Sequence, residues 1–323
     1  MMGERQVLVG DVGGTNVRFA VGRKVAGQLK IDQFVTLKGD RFEAFYDALA
    51  EYLKQTGIGL AEASFALAGP VEGDEVMMTN RNWHVSSAQL KAQFGFERVT
   101  LMNDFAGMAR AVPEMDASKL ELIKPGKPVE GQPILVAGLG TGLGVATLMR
   151  VGDKWIVVSG EGGHVAFSPE TPLEIELLRA LLEGAERDYV SAELVASGVG
   201  LELVHAAFCE IYGRDMEKLA PDEMQKRAKH GDDMFRDLIR LRAHTLMRVA
   251  GDMMMANGTS GGVVLAGGVT EHILDYVKAD DAIERFSRRG LKRNYVSACP
   301  IHLMKDPMAP LVGASAYHYQ VCG

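Results

Sequence analysis

Gly10-Asp11-Val12-Gly13-Gly14-Thr15-Asn16 stands between two short apolar runs, Gln6 to Gly10 and Asn16 to Gly22. The runs read as strands, and the paired glycines read as a tight β-hairpin reversal, where glycine adopts φ > 0 without strain. Leu29 to Leu37 supplies a third strand. The same order returns further on. Pro133 to Leu148 is strand, glycine turn and strand around Gly138-Leu139-Gly140-Thr141-Gly142-Leu143-Gly144, and Trp155 to Ser159 follows as another strand. Each half then has a strand ending in similar words, Ala66-Leu67-Ala68-Gly69-Pro70-Val71 in the first and Val264-Leu265-Ala266-Gly267-Gly268-Val269 in the second. A strand-rich unit used twice, with helices between, predicts a duplicated α/β fold with two facing lobes.

The bulk numbers agree with two lobes. A chain of 323 residues is long for one core, and 47% hydrophobic with 24% charged residues is the composition of a folded globular protein. The formal net charge of -7 excludes nucleic-acid and acidic-membrane partners, which require a basic face. It leaves room for a small polyanion held by backbone N–H groups and a divalent cation. Cys209, Cys299 and Cys322 are few, odd in number and far apart, which predicts neither a disulfide framework nor a cysteine zinc site. With a strand starting near Gln6 and no bilayer-length apolar run, the reading is a cytoplasmic protein without leader or membrane span.

Between the strands, Arg41 to Gln55 and Phe235 to Ala256 carry helical periodicity. Thr171-Pro172-Leu173-Glu174 predicts a helix start, with Thr at the N-cap, Pro at the first position and Glu placed for a capping box. Lys124 to Pro133 reads as an exposed connector, Ser287 to Arg293 as a solvated basic face, and Met253-Met254-Met255 as core filler.

Chemistry-bearing residues gather at the turns. Asp11 at a strand end can hold a cation's water, and Thr15 offers a hydroxyl. Four glycines in seven residues from Gly138 to Gly144 exceed what a hairpin requires, so a ligand backbone approach is expected there. Gly267-Gly268 is read either as another ligand contact or as the start of a helix. Val99 to Met102 predicts a buried strand that delivers Asn103 and Asp104 at its end. A carboxylate there either takes a proton from a bound hydroxyl or caps the helix from Phe105 onward; Asn103 either binds the same hydroxyl-bearing ligand or makes a turn. In Ser159-Gly160-Glu161-Gly162-Gly163-His164 a carboxylate and an imidazole three residues apart suit a polar substrate better than zinc, which needs further ligands. Glu193, after Ser191, favours a helix N-terminus.

Taken in order, GDVGGTN, TNRNW, LMNDF, GLGTGLG, GEGGH, SAELVASG and LAGGV make the chain similar, along essentially its whole length, to the bacterial glucokinases of the hexokinase superfamily. The resemblance implies two actin-like, ribonuclease-H-like α/β domains around a cleft, 1–113 plus 305–323 and 114–304. It implies ATP-dependent phosphorylation of glucose at the 6-hydroxyl, with Asp104 as catalytic base and Asn103, Asp104, Glu161, His164 and Glu193 on the sugar. Gly10, Asp11, Val12, Gly13, Gly14, Thr15, Gly140, Thr141 and Gly142 should cradle the phosphates, with Mg2+ reached from Asp11 through water. Gly267 and Gly268 should lie beside the adenosine, although Val269-Thr270-Glu271 departs from the usual apolar-x-Pro-Arg. A homodimer is the family habit. The ROK type is set apart by a Cys-rich zinc loop and, in its repressors, a DNA-binding region, both missing from this sequence. Alternatives are a broader hexose or N-acetylhexosamine kinase, a polyphosphate-using kinase, or an actin-like nucleotide switch without sugar kinase activity.

Overall fold

A computed structural model describes residues 5–78, 81–184 and 187–323. Thr79 and Asn80 of the TNRNW stretch lie outside the described residues. The chain divides into two compact units, Met1–Leu120 with Leu148–Ser159 and Lys305–Gly323, and Glu121–Thr147 with Gly160–Met304. Residues 114–120 and 148–159, expected in the second domain, group with the first. Hydrogen bonds to the C-terminal segment explain it: the Lys305 N–H donates to Lys119 O at 2.8 Å, and the Gln320 side chain bonds the Trp155 backbone N–H and carbonyl at 3.0 and 2.9 Å.

The first part of the chain forms β1 (Gln6–Val12), β2 (Asn16–Val25), β3 (Gln28–Lys38), α1 (Phe45–Thr56) and β4 (Glu62–Leu67). A small antiparallel meander follows, β5 (Val71–Glu72), β6 (Glu75–Met77) and β7 (His84–Ser86), then α2 (Ser87–Phe94), β8 (Arg98–Asn103) and α3 (Asp104–Ala111). Next come β9 (Leu120–Lys124), β10 (Ile134–Leu139), β11 (Leu143–Val151), β12 (Lys154–Gly160), α4 (Pro172–Glu183), α5 (Ala192–Ala196), α6 (Leu201–Ile211), α7 (Pro221–Lys229) and α8 (Asp233–Asn257). The chain finishes with β13 (Gly262–Ala266), α9 (Gly268–His272), α10 (Leu274–Val277), α11 (Asp280–Ser287), α12 (Arg293–Ser297), β14 (Ile301–Met304) and α13 (Ala309–Cys322).

The two large sheets run β3-β2-β1-β4-β8 and β12-β11-β10-β13-β14-β9. Their first five strands share one order, with a strand added after β14 in the second. β4 pairs in parallel with β1 and β8, as β13 does with β10 and β14, so the two Ala-Gly stretches end equivalent strands. Parallel strands buried on both faces explain the apolar runs without alternation in β1, β4 and β13.

Several local expectations are corrected. α1 starts at Phe45 rather than Arg41, because Gly39–Arg41 makes a single tight turn and Phe42 is extended; Asp47 then caps the Ala44 N–H at 3.0 Å. Thr171 does cap α4, but Glu174 does not complete a capping box. Its carboxylate reaches back one residue past the cap, to the Glu170 N–H at 2.6 Å, and also accepts from Arg248 and Arg285 at 3.1 and 2.9 Å, both buried. The connector from Lys124 is exposed only after its first residue: Lys124 is buried, donating to the carbonyls of Pro125, Ser297 and Cys299. Within the basic run Arg289 is half-buried, its guanidinium on the Arg248 carbonyl at 2.6 Å and against Asp252 at 2.8 Å.

Candidate functional site

In the first unit, register fixes which strand ends come together. Val12 lies opposite Leu67, and Leu67 opposite Asn103. The carboxyl ends of β1, β4 and β8 are therefore level, and the turns leaving them, at Gly13, Ala68 and Asp104, share one edge. Ligands of open α/β sheets bind at such edges.

Asn103, not Asp104, caps α3. Its Oδ1 accepts from the Phe105 and Ala106 N–H groups at 2.9 and 3.2 Å, and its Nδ2 donates to the Gly69 carbonyl at 3.2 Å. That corrects the capping alternative for Asp104, which becomes the first helical residue. Its Oδ1 is 2.9 Å from its neighbour's N–H, where the helix N-terminus favours a negative charge. With both lone pairs of Oδ1 filled by the cap and one amide hydrogen on the Gly69 carbonyl, Asn103 has one amide hydrogen left to give.

The first glycine turn closes differently from expectation. Gly13 keeps an ordinary φ, and an added Cβ would meet nothing nearer than the Asn16 carbonyl at 3.8 Å. The turn is pinned instead by the Gly13 N–H on Asn16 O at 3.1 Å, and by Arg81, whose Nε donates to Gly14 O at 2.9 Å. Arg81 also lies over the Trp83 ring, 4.8 Å from its centroid. Sequence pattern alone gives Arg81 no role, and its place in TNRNW is its one signal. Asp11 is buried and paired with Arg18 at 2.9 Å, its opposite residue on β2. Burial raises its carboxyl above the ordinary 3.8, while Arg18 pulls the other way.

In the second unit the structure gathers Glu161, His164, Glu193 and the turn at Gly140 to Gly142. His164 Nδ1 is 3.5 Å from Glu161 Oε2, and its Nε2 is 3.6 Å from Glu193 Oε1. Glu193 stands in the first turn of α5, capped by Ser191, and its Oε2 accepts from the Leu143 N–H at 2.7 Å. Gly142 is required for that approach, since a Cβ would stand 2.5 Å from Oε2. Two N–H groups brace the turn from behind, Gly198 on Gly140 O at 3.2 Å and Val199 on Thr141 O at 3.0 Å. Tyr189, not foreseen, holds the His164 carbonyl through its hydroxyl at 2.5 Å.

Gly267 and Gly268 take the helix-start alternative. They do begin α9, and Gly267 has φ 94°, with a Cβ that would strike Leu139 O at 2.4 Å. Gly140 and Gly268 have neither reason: each has an ordinary φ and open space where a Cβ would go. Thr270, at the departure from the family pattern, is fully buried, and its Oγ1 accepts from the Leu139 N–H at 2.8 Å, fixing β10 as it enters the turn. A cavity of about 420 Å3 among α4, α6, α8 and α11, lined by Leu177, Phe208, Asp237 and His244, includes none of these residues. Among the described residues no group of three His, Cys, Asp or Glu side chains could hold a metal ion, and no helix is long and apolar enough to cross a membrane.

Solved sugar kinases share this mixed α/β fold. A glucokinase from an Antarctic psychrotroph superposes with a TM-score of 0.83 at 32% identity, over 98% of this chain and 99% of its own. The glucokinase of Balamuthia mandrillaris, solved with glucose, has the same fold with a TM-score of 0.81 at 23% identity, over 99% and 94%. ROK-family proteins, a hexokinase and a glucokinase among them, share the fold at 16 to 19% identity. The chain belongs to the glucokinase family: the family profile, Glucokinase, matches residues 8–321. Among its relatives, the glucokinase of Saccharophagus degradans is 37% identical over 313 residues, 96% of this chain and 97% of that one.

Proposed function

We propose that this chain transfers the γ-phosphoryl group of ATP to the 6-hydroxyl of glucose. The observation that carries the reading is the double attachment of Glu193, one oxygen beside His164 at 3.6 Å and the other on the Leu143 N–H at 2.7 Å. A single carboxylate thereby ties a polar cluster suited to sugar hydroxyls to a glycine turn suited to phosphates. The open Cβ positions at Gly13, Gly140 and Gly268 support ATP contacts there.

In this reading Asp104 accepts the hydroxyl proton as the new P–O bond forms, a role worth roughly 10² to 10⁴ in rate. Asn103 donates an amide hydrogen to the sugar. Glu161, His164 and Glu193 orient the remaining hydroxyls, and turn N–H groups stabilise phosphate charge. Mg2+ brought by the nucleotide would be held near buried Asp11, and when bound it would supply positive charge against the phosphates. The finer assignment is a non-ROK enzyme of two actin-like domains with a cleft, homodimeric and cytoplasmic. The common strand order of the two sheets and the absence of a Cys-rich loop after Glu161-Gly162-Gly163-His164 in the sequence support the first part.

Assay of purified protein with ATP, ADP and polyphosphate against glucose, mannose, fructose and N-acetylated hexoses tests the donor and acceptor. Asp104→Asn should retain glucose binding by calorimetry and lose nearly all turnover. Retained turnover would remove Asp104 from the chemistry.

A further inference from the structure

Four contacts run end to end through the first unit. Glu62 Oε2 is 2.8 Å from His318 Nε2, His318 Nδ1 is 3.0 Å from Thr100 Oγ1, Thr100 Oγ1 is 2.9 Å from Ser64 Oγ, and Ser64 Oγ is 2.8 Å from the Ala314 carbonyl. Ser64 and His318 are fully buried. Both ends of this chain only accept. A carbonyl has no proton, and Glu62 is kept ionised: burial works against its charge, but hydrogen bonds from Arg5 and His318 bring its carboxyl below the ordinary 4.5. Arg5 and Arg98 both sit 2.8 Å from it.

Four hydrogen bonds need four protons. Ser64 and Thr100 supply one each from their hydroxyls, a neutral imidazole supplies one, and an imidazolium supplies two. With a neutral ring, one of the four contacts sets two lone pairs face to face, whichever way the hydroxyls turn. Such an unfilled buried contact is unfavourable.

We propose that His318 is a buried imidazolium and a positioning residue, whose second proton completes a hydrogen-bonded chain clamping α13 to β4 and β8. Those two strands carry the candidate base and its neighbour. Ser64 and Thr100 are paired across β4 and β8, as are Leu67 and Asn103 three residues on, and Asn103 in turn bonds Gly69. The groups facing the ring are Glu62, which favours the charge, Arg5 and Arg98, which oppose it, and the Tyr319 ring set edge-on. Desolvation is the largest influence and, with the two arginines, outweighs Glu62, moving the ring below its ordinary 6.5. The proton inventory decides against the neutral form because no rotation of the two hydroxyls can supply the missing hydrogen.

Nitrogen-15 NMR of the histidine rings at pH 7.0 tests this directly. Both His318 nitrogens should be protonated, with the signal assigned by its loss in His318→Gln. Thr100→Val is the sharper variant and also serves for assignment if His318→Gln does not fold. It leaves two contacts, for which a neutral ring suffices, so His318 should then show one bare nitrogen. A bare nitrogen in the wild type, or a doubly protonated ring in Thr100→Val, overturns the proposal. The kinetic arm rests on the proposed sugar kinase activity. There kcat should fall as pH rises through the His318 titration seen by NMR, with KM for glucose unchanged, and this limb should be missing in Thr100→Val. A flat kcat across that titration overturns the positioning role. Absence of any kinase activity would overturn the functional reading instead, leaving the NMR result to stand alone.

Discussion

Alanine at Gly142 would push directly on the carboxylate that joins the polar cluster to the glycine turn. Its Cβ would stand 2.5 Å from Glu193 Oε2 where ordinary contact begins at 3.4 Å, so the oxygen must retreat by 3.4 − 2.5, about 0.9 Å. Oε2 accepts from the Leu143 N–H at 2.7 Å, and a retreat along that line takes the separation to about 3.6 Å, beyond a hydrogen bond. A hydrogen bond to a charged group contributes roughly 1.5–3 kcal/mol. If that stabilisation holds Glu193 in its sugar-binding position, KM for glucose should rise roughly 10- to 150-fold, at about 1.4 kcal/mol per tenfold. Coupled detection of glucose 6-phosphate measures it, with Gly140→Ala as control. A Cβ at 140 meets nothing within 4 Å, so that variant should melt like the wild type and raise KM for ATP rather than glucose. An unchanged glucose KM in Gly142→Ala, or a main effect on ATP, would refute the role given to Glu193.

Two further outcomes follow from buried charges. Burial raises the Asp11 carboxyl above its ordinary 3.8, against Arg18, so its contribution to stability is fully present below that ordinary value and is lost as pH rises through the folded one. Asp11→Asn should therefore have a higher Tm than the wild type at pH 7, a difference that shrinks as pH falls through this window, while ATP use declines; a lower Tm at pH 7 would show that the Arg18 pair outweighs burial. Glu174→Gln should lose roughly 3 kcal/mol or more of unfolding free energy in urea, because Arg248 and Arg285 keep their charges in a buried setting; a loss within 1 kcal/mol of zero would mean, at about the size of a surface pair, that Glu170 alone suffices for both.

The succession of strands along the chain and the places of the glycine turns are legible because buried strands write themselves in short apolar runs and their reversals in glycines. The meander at β5 to β7 was not, since strands of two or three residues with mostly exposed side chains on the first two carry no periodicity. Asn103 and Asp104 are equally good caps by residue type, so sequence could not choose between them; backbone register and one amide's orientation did. Lys124 and Arg289 show the limit of reading charge as exposure. Lys124 is buried and Arg289 half-buried because carbonyls distant in sequence, Cys299 for one and Arg248 for the other, meet their donors. Glu193 was readable locally only as a helix N-terminal acid, and that remains true of it in α5; what local pattern could not supply was the Leu143 N–H fifty positions away.

The last helix imposes an order of manufacture. Leu311 and Ala314 of α13 fill the same cluster as Val7, Val9, Ala66 and Met102, and Gly313 packs so closely on α3 that a Cβ would lie 1.8 Å from Gly107 O. The sheet therefore waits for a helix translated some two hundred residues after it, roughly 10–40 s later at ordinary synthesis rates. During that interval one face of β1 and β4 is uncovered apolar surface on the ribosome, a natural client for chaperones.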